Sequence, residues 1–260
     1  MSSKTPRFCD LKKGANYVIV LPMVNAENLT LFLKAIKAVA KYNEHPIPPH
    51  LAPLAEGHAF PESDDPIGTL KEAGQKLTGT QCACLFANVA NLNFKDQRKQ
   101  DRRLFDEVEE ALRIDRRDAR DVIEAVEIRI QTQQTFRSSE DWDLFCAGLV
   151  AMAKSDGMLE DKEQQYIQQH IPDLKHLEAG QKIVAEKSQN DLGEALGSLS
   201  SRQRRCLAAH VISIMFIDGS WKGSEQEFLE LTTKRMHLVQ LDLDRLLKGL
   251  HSIFNVSVFG

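Results

Sequence analysis

Two pairs of acids stand at matched spacing late in this chain. Asp156-Gly157 is followed by Glu163, and Asp218-Gly219 by Glu225, so each glutamate lies seven residues after its aspartate. In both places an apolar, helix-like run leads into Asp-Gly, and the glutamate opens the next helical segment. A calcium-binding EF-hand loop also sets Asp or Asn before a central Gly, with a Glu six residues after that Gly. The other half of such a loop is missing here. Its earlier ligand positions hold Met152 and Lys154 in one copy and Ile214 and Phe216 in the other, none of which offers oxygen to a hard cation.

Two incomplete loops can still share one ion. If equivalent loops face each other across a two-fold axis, Asp156, Glu163, Asp218 and Glu225 form an all-oxygen set suited to Ca²⁺, Mg²⁺ or Mn²⁺. Helix capping accounts for the same residues. Asp-Gly ends a helix through a left-handed glycine, and a Glu in the first turn is favoured by the helix dipole.

The elements that would carry these acids form a repeat. The Asp-Gly pairs lie 62 residues apart, and Leu149, Val150, Met152, Tyr166 and Ile167 coincide with Val211, Ile212, Ile214, Phe228 and Leu229. A fainter copy precedes them: Leu85, Val89, Leu92, Phe94 and Asp96 lie 122 residues before Leu207, Val211, Ile214, Phe216 and Asp218. After a two-residue shortening of the loop it continues with Arg113-Ile114-Asp115 matching His237-Leu238-Val239 and Val122-Ile123 matching Leu246-Leu247, but Gln97 replaces the glycine after Asp96. A fixed period with matched apolar positions marks an internal repeat.

Apolar spacing predicts helices over 26–42, 82–93, 101–112, 115–133, 140–154, 161–170, 174–187, 191–199, 201–217, 224–236 and 241–254. Ser224 and Glu227 have the form of a capping box, and Pro172 should end one helix and open the next. The expectation is an all-α bundle of about ten short helices built from two or three helix-turn-helix units. Three segments follow: an N-terminal extension (1–80) with one helix and a Pro-rich loop, a degenerate helical repeat (81–137) and a two-repeat helical domain (138–260). The six prolines between Pro46 and Pro66 deny that stretch regular structure, and Tyr17 to Leu21 reads as a short strand or an apolar arm.

The composition is that of a soluble protein, 42% hydrophobic and 27% charged with a net charge of −4, which argues against a protein built around nucleic acid. Five cysteines without regular spacing fit reduced thiols, and no run is long enough to cross a bilayer, so a cytoplasmic location is expected. His45, His50 and His58 match no metal-site spacing, and Cys82 and Cys84 open an apolar helix where buried thiols are common. Arg98, Lys99, Arg102, Arg103, Arg113, Arg116, Arg117 and Arg120 crowd one region, and Arg202, Arg204 and Arg205 another. They could form a patch for phosphate or an acidic partner. Interleaved acids such as Asp106, Asp115, Asp118 and Asp121 instead suggest pairing at i, i+3 or i, i+4 along solvated helix faces.

No Gly-rich phosphate loop, Gly-x-Ser-x-Gly or His-Glu-x-x-His motif is present, and the lone apolar-helix histidine, His210, reads as a satisfied core residue. The expectation is therefore a non-enzymatic binding or scaffold protein with a divalent-metal site. The alternatives are a metal-independent protein-protein adaptor and, less favoured, a metal-dependent hydrolase.

Two copies of an apolar helix, Asp-Gly and a Glu seven residues on resemble the TerB-like domain of tellurite-resistance proteins, also found in certain membrane-anchored DnaJ-like co-chaperones. The resemblance covers about residues 139–254 and carries Asp156, Gly157 and Glu163, with Asp218, Gly219 and Glu225. It implies an all-α fold, an acidic surface for a divalent metal, and a protein partner in stress-response or peripheral membrane-associated assemblies rather than catalysis. Ser155 and Ile217 stand where the family often has Ala, and the N-terminal third has no counterpart in it.

Overall fold

The computed structural model describes residues 26–57, 61–94, 102–155, 157, 159–217 and 223–259. Within them the chain is all-helical. The order is α1 (Ala26–Tyr42), α2 (Ala52–Glu56), α3 (Pro66–Lys76), α4 (Gly79–Phe94), α5 (Arg102–Leu112), α6 (Arg116–Ile130) and α7 (Thr132–Thr135). Then come α8 (Ser139–Ala153), α9 (Asp161–His170), α10 (Leu174–Glu186), α11 (Gln189–Gly197), α12 (Ser201–Ile217), α13 (Gly223–Arg235) and α14 (Gln240–Phe254). A 3-10 turn, Val256–Phe259, follows. Residues 17–21 lie outside the described residues.

The described residues hold fourteen α-helices rather than about ten. Two of the additional ones use the prolines that argued against them. Pro53 lies in the first turn of α2, and Pro66 opens α3 behind Asp65, whose carboxylate accepts the Gly68 N–H at 2.8 Å. First-turn amides have no partner within the helix, so a proline there forfeits nothing. The helix expected over 115–133 breaks at Gln131, which separates α6 from α7. Ser224 lies inside the first turn of α13 and not at its cap. The reciprocal cap occurs instead at α9, where the Glu160 N–H donates to the Glu163 carboxylate at 2.8 Å. As expected, α9 stops before Pro172, and Asp173 caps α10.

Three helices form the interior. Residues 84–93 of α4, 145–153 of α8 and 206–215 of α12 are buried without interruption, which requires packing on every side. The neighbours supply it: α8 packs on α10 and α12, α12 also on α14 and α6, and α4 on α6, α14 and α1. Gly249 lets α14 approach α6 closely, since a Cβ there would sit 2.6 Å from the Ala125 Cβ and 2.9 Å from the Asp121 carbonyl. The 3-10 turn closes the molecule onto its first described helix. The Phe259 ring lies 4.4 Å from that of Phe32, and Gln81 donates to the Val258 carbonyl at 2.9 Å.

Three connections share one geometry, the first of them at Glu44 after α1, with φ 56° and the His45 N–H bonded back to the Ala40 carbonyl at 2.8 Å. Arg113 after α5 and His237 after α13 both take positive φ, 54° and 50°. The amides that follow bond back in the same way, Ile114 N–H to the Glu109 carbonyl at 3.1 Å and Leu238 N–H to the Thr233 carbonyl at 3.0 Å. This left-handed close satisfies the last free carbonyls of a helix. The corresponding corner after α9 instead stops at Pro172. No helix among the described residues is long and apolar enough to cross a membrane.

Candidate functional site

Of the four acids expected to bind a metal, Asp156 and Asp218 lie outside the described residues. Glu163 and Glu225 occupy the first turns of α9 and α13 and are buried to a similar degree, 8% and 4% exposed. Glu163 is engaged as a cap by the Glu160 amide. Among the described residues no group of three or more His, Cys, Asp or Glu could hold an ion. His50 faces Asn88, its Nε2 2.9 Å from Oδ1, and its ring lies tilted 5.1 Å from that of Phe254; His58 lies outside the described residues. Cys82 and Cys84 are buried thiols, as expected.

A polar seam crosses the apolar interior. His210, fully buried on α12, has Nε2 2.6 Å from the Thr132 hydroxyl and 3.1 Å from the Arg129 carbonyl, and Nδ1 2.8 Å from the Tyr166 hydroxyl. A carbonyl only accepts, so Nε2 carries the hydrogen and Nδ1 accepts from Tyr166. Burial holds the His210 pKa well below its ordinary value, and the nearby His170 and Arg129 push it the same way. Arg129 is itself buried. It donates to the Asn91 amide oxygen and lies 5.9 Å over the Phe254 ring, with no ion pair among the described residues. The His210 ring has a partner at both nitrogens, as expected of a core histidine, whereas the buried Arg129 Nε has no hydrogen-bond partner among the described residues.

The arginine region differs from the expected pattern of paired charges along one helix. Asp115 is spent as the cap of α6, accepting the Arg117 N–H at 2.8 Å. Asp118 accepts from Lys248 at 2.5 Å, Asp121 lies 3.8 Å from Arg245 and 3.6 Å from Lys248, and Glu124 pairs with Arg205. The acids of α6 thus face α14 and α12. Asp118 and Asp121 share the side that adjoins the buried Val122 and Ala125, whereas residues 116, 117 and 120 fall on the opposite side together with Glu124, which reaches across to Arg205. Arg113, Arg116, Arg117 and Arg120 are all exposed, and none forms an ion pair among the described residues. The spacing of Asp118 and Asp121 beside the core positions was the available signal for this sorting.

Comparison with family models, curated proteins and solved structures finds no match.

Proposed function

We propose that this chain is a non-enzymatic helical binding protein that engages an anionic partner through the arginine face of α6. One observation carries the reading. The sequence correspondence that matches Arg113 with His237 matches Arg116, Arg117 and Arg120 with Gln240, Leu241 and Asp244 at the start of α14. Both corners have the same left-handed turn and the same backbone bonds. A corner built as well with Gln, Leu and Asp does not need guanidinium groups to fold. The arginines also sit at the positive end of the α6 dipole, where cations cost about 0.3–1 kcal/mol each. The test is recovery of a partner by pull-down and its loss on charge reversal at Arg116 and Arg117. Capture that is indifferent to that reversal would count against the face.

A second reading keeps the divalent-metal site of Asp156, Glu163, Asp218 and Glu225, in line with the TerB-like resemblance and its stress-response setting. Its support is the matched burial of Glu163 and Glu225, and the packing of α9, which carries Glu163, on α12, which leads toward Asp218. It predicts a melting temperature raised by Ca²⁺, Mg²⁺ or Mn²⁺, with the rise abolished by Asp156→Asn with Asp218→Asn. Melting unchanged at millimolar ion would remove it.

A further inference from the structure

We infer that the buried guanidinium of Arg129 holds a small monovalent anion, such as a carboxylate, in the interior between Asn91 of α4, Tyr166 of α9 and Phe254 of α14. The site is separate from the arginine face of α6 and does not depend on it.

Arg129 is a buried cation with an open donor. It is 7% exposed, it forms no ion pair among the described residues, and its Nε has no hydrogen-bond partner there. The groups around it do not balance its charge. Nη2 donates to the Asn91 amide oxygen, the Phe254 ring covers the guanidinium at 5.9 Å, and the Tyr166 hydroxyl lies close enough to feel the charge. None of the ionisable groups of the seam supplies a negative charge at pH 7. Burial pushes the Tyr166 hydroxyl up and the Cys206 thiol up to about 12, and it holds His210 unprotonated.

Two ordinary explanations fall short. Arg129 stands in the last turn of α6, where the negative end of the helix dipole offsets part of its charge, but that gives Nε no acceptor. A water molecule would accept from Nε yet bring no charge, and buried charges are as a rule paired. Nor does packing demand a cation here. Past the shortened loop the repeat matches Arg129 with Ile253, a fully buried apolar residue.

The surroundings also set the kind of anion. A single guanidinium balances one charge, so a phosphate dianion or a nucleotide would leave negative charge stranded in the apolar interior. The donors of a guanidinium lie in one plane, a fork that matches the two oxygens of a carboxylate. With Asn91, Tyr166 and Phe254 already against the group, a peptide or polyanion would reach Nε only by parting the helices.

The experiment measures melting temperature and broadening of the formate proton line against sodium formate, with ionic strength held by a bulky sulfonate salt. The parent should show a saturable rise of about 2–4 °C, as binding to the folded state alone produces. Arg129→Met should show neither the rise nor the broadening. Arg129→Lys keeps the cation but has no Nε–H, and should bind formate at least about tenfold more weakly. Arg117→Gln, on the exposed face, should behave as the parent. The site is overturned if the parent gives no saturable response, if Arg129→Met or Arg129→Lys responds equally, or if Arg117→Gln loses the response. Tighter binding of inorganic phosphate than of formate would overturn it too. Should Arg129→Met fail to fold, Arg129→Lys decides. None of these results bears on partner capture by the arginine face.

Discussion

Asn88 and His210 make the same contact in opposite directions. Asn88 of α4 donates to the Ile253 carbonyl of α14 at 2.9 Å, and His210 of α12 reaches the Arg129 carbonyl of α6 at 3.1 Å. The sequence correspondence pairs Asn88 with His210 and, past the shortened loop, Arg129 with Ile253. Ala125 and Gly249, matched in the same way, lie against each other where α6 meets α14. Mutual contacts of this kind are those of a two-fold arrangement. Polar side chains in apolar helices thus tie one part of the chain to another.

Tyr166→Phe should destabilise the fold. The Tyr166 hydroxyl donates to His210 Nδ1 at 2.8 Å, and its removal leaves a buried acceptor unsatisfied at a cost of about 1–3 kcal/mol. Urea unfolding reads this as a lower midpoint with an unchanged slope. An unchanged midpoint would mean that the hydroxyl contributes nothing to the seam.

Stability should fall below pH 6.5. The folded His210 resists protonation, whereas the unfolded chain takes a proton near 6.5, so below that pH the unfolded state binds more protons. This contribution is full above 6.5 and declines as pH drops, by up to about 1.4 kcal/mol per pH unit for one group. His210→Gln should flatten the profile of unfolding free energy between pH 7 and about 5.5. An equal slope in the variant would place the titration elsewhere.

Lys248→Met should weaken capture of the anionic partner although Lys248 belongs to α14. It holds Asp118 at 2.5 Å and reaches Asp121 at 3.6 Å, so its loss leaves uncompensated acids beside the arginines. One such charge at ~8 Å through water corresponds to about a twofold loss. Melting should fall slightly, because Asp118 is half exposed but Asp121, 15% exposed, keeps only Arg245 as its cation among the described residues.

The described thiols should be inert in the folded protein. Cys82, Cys84, Cys146 and Cys206 are buried, and burial pushes Cys84, Cys146 and Cys206 up to about 12. A thiolate is the reactive form, so a disulfide reagent at neutral pH should label them only on unfolding. Rapid native labelling of more than one of the five cysteines would contradict this packing.

Apolar spacing located α1 and α12 to the residue, because long, strongly patterned segments commit to one structure, and Pro172 marked the end of the shorter α9. It failed at α2 and α3, where proline was read as a breaker although both helices start on or beside one. The sorting of charge around α6 was only half legible. Interleaved signs reveal an amphipathic surface but not which neighbouring helix takes the acids, and that depends on the close approach permitted by Gly249. The acids of the repeated loops were legible as a pattern; for Glu163, the structure adds its capping bond.

The last turn works as a clasp. Phe259 and the Val258 carbonyl fasten the far end of the described chain to α1 and α4, so the ring is structural filling rather than a dangling tail. Shortening the protein before Val256 would leave Phe32 wet and unlatch α1 and α4, the latter bonded across 177 residues of chain. A bulky fusion is therefore better hung from a surface joint than from this hook.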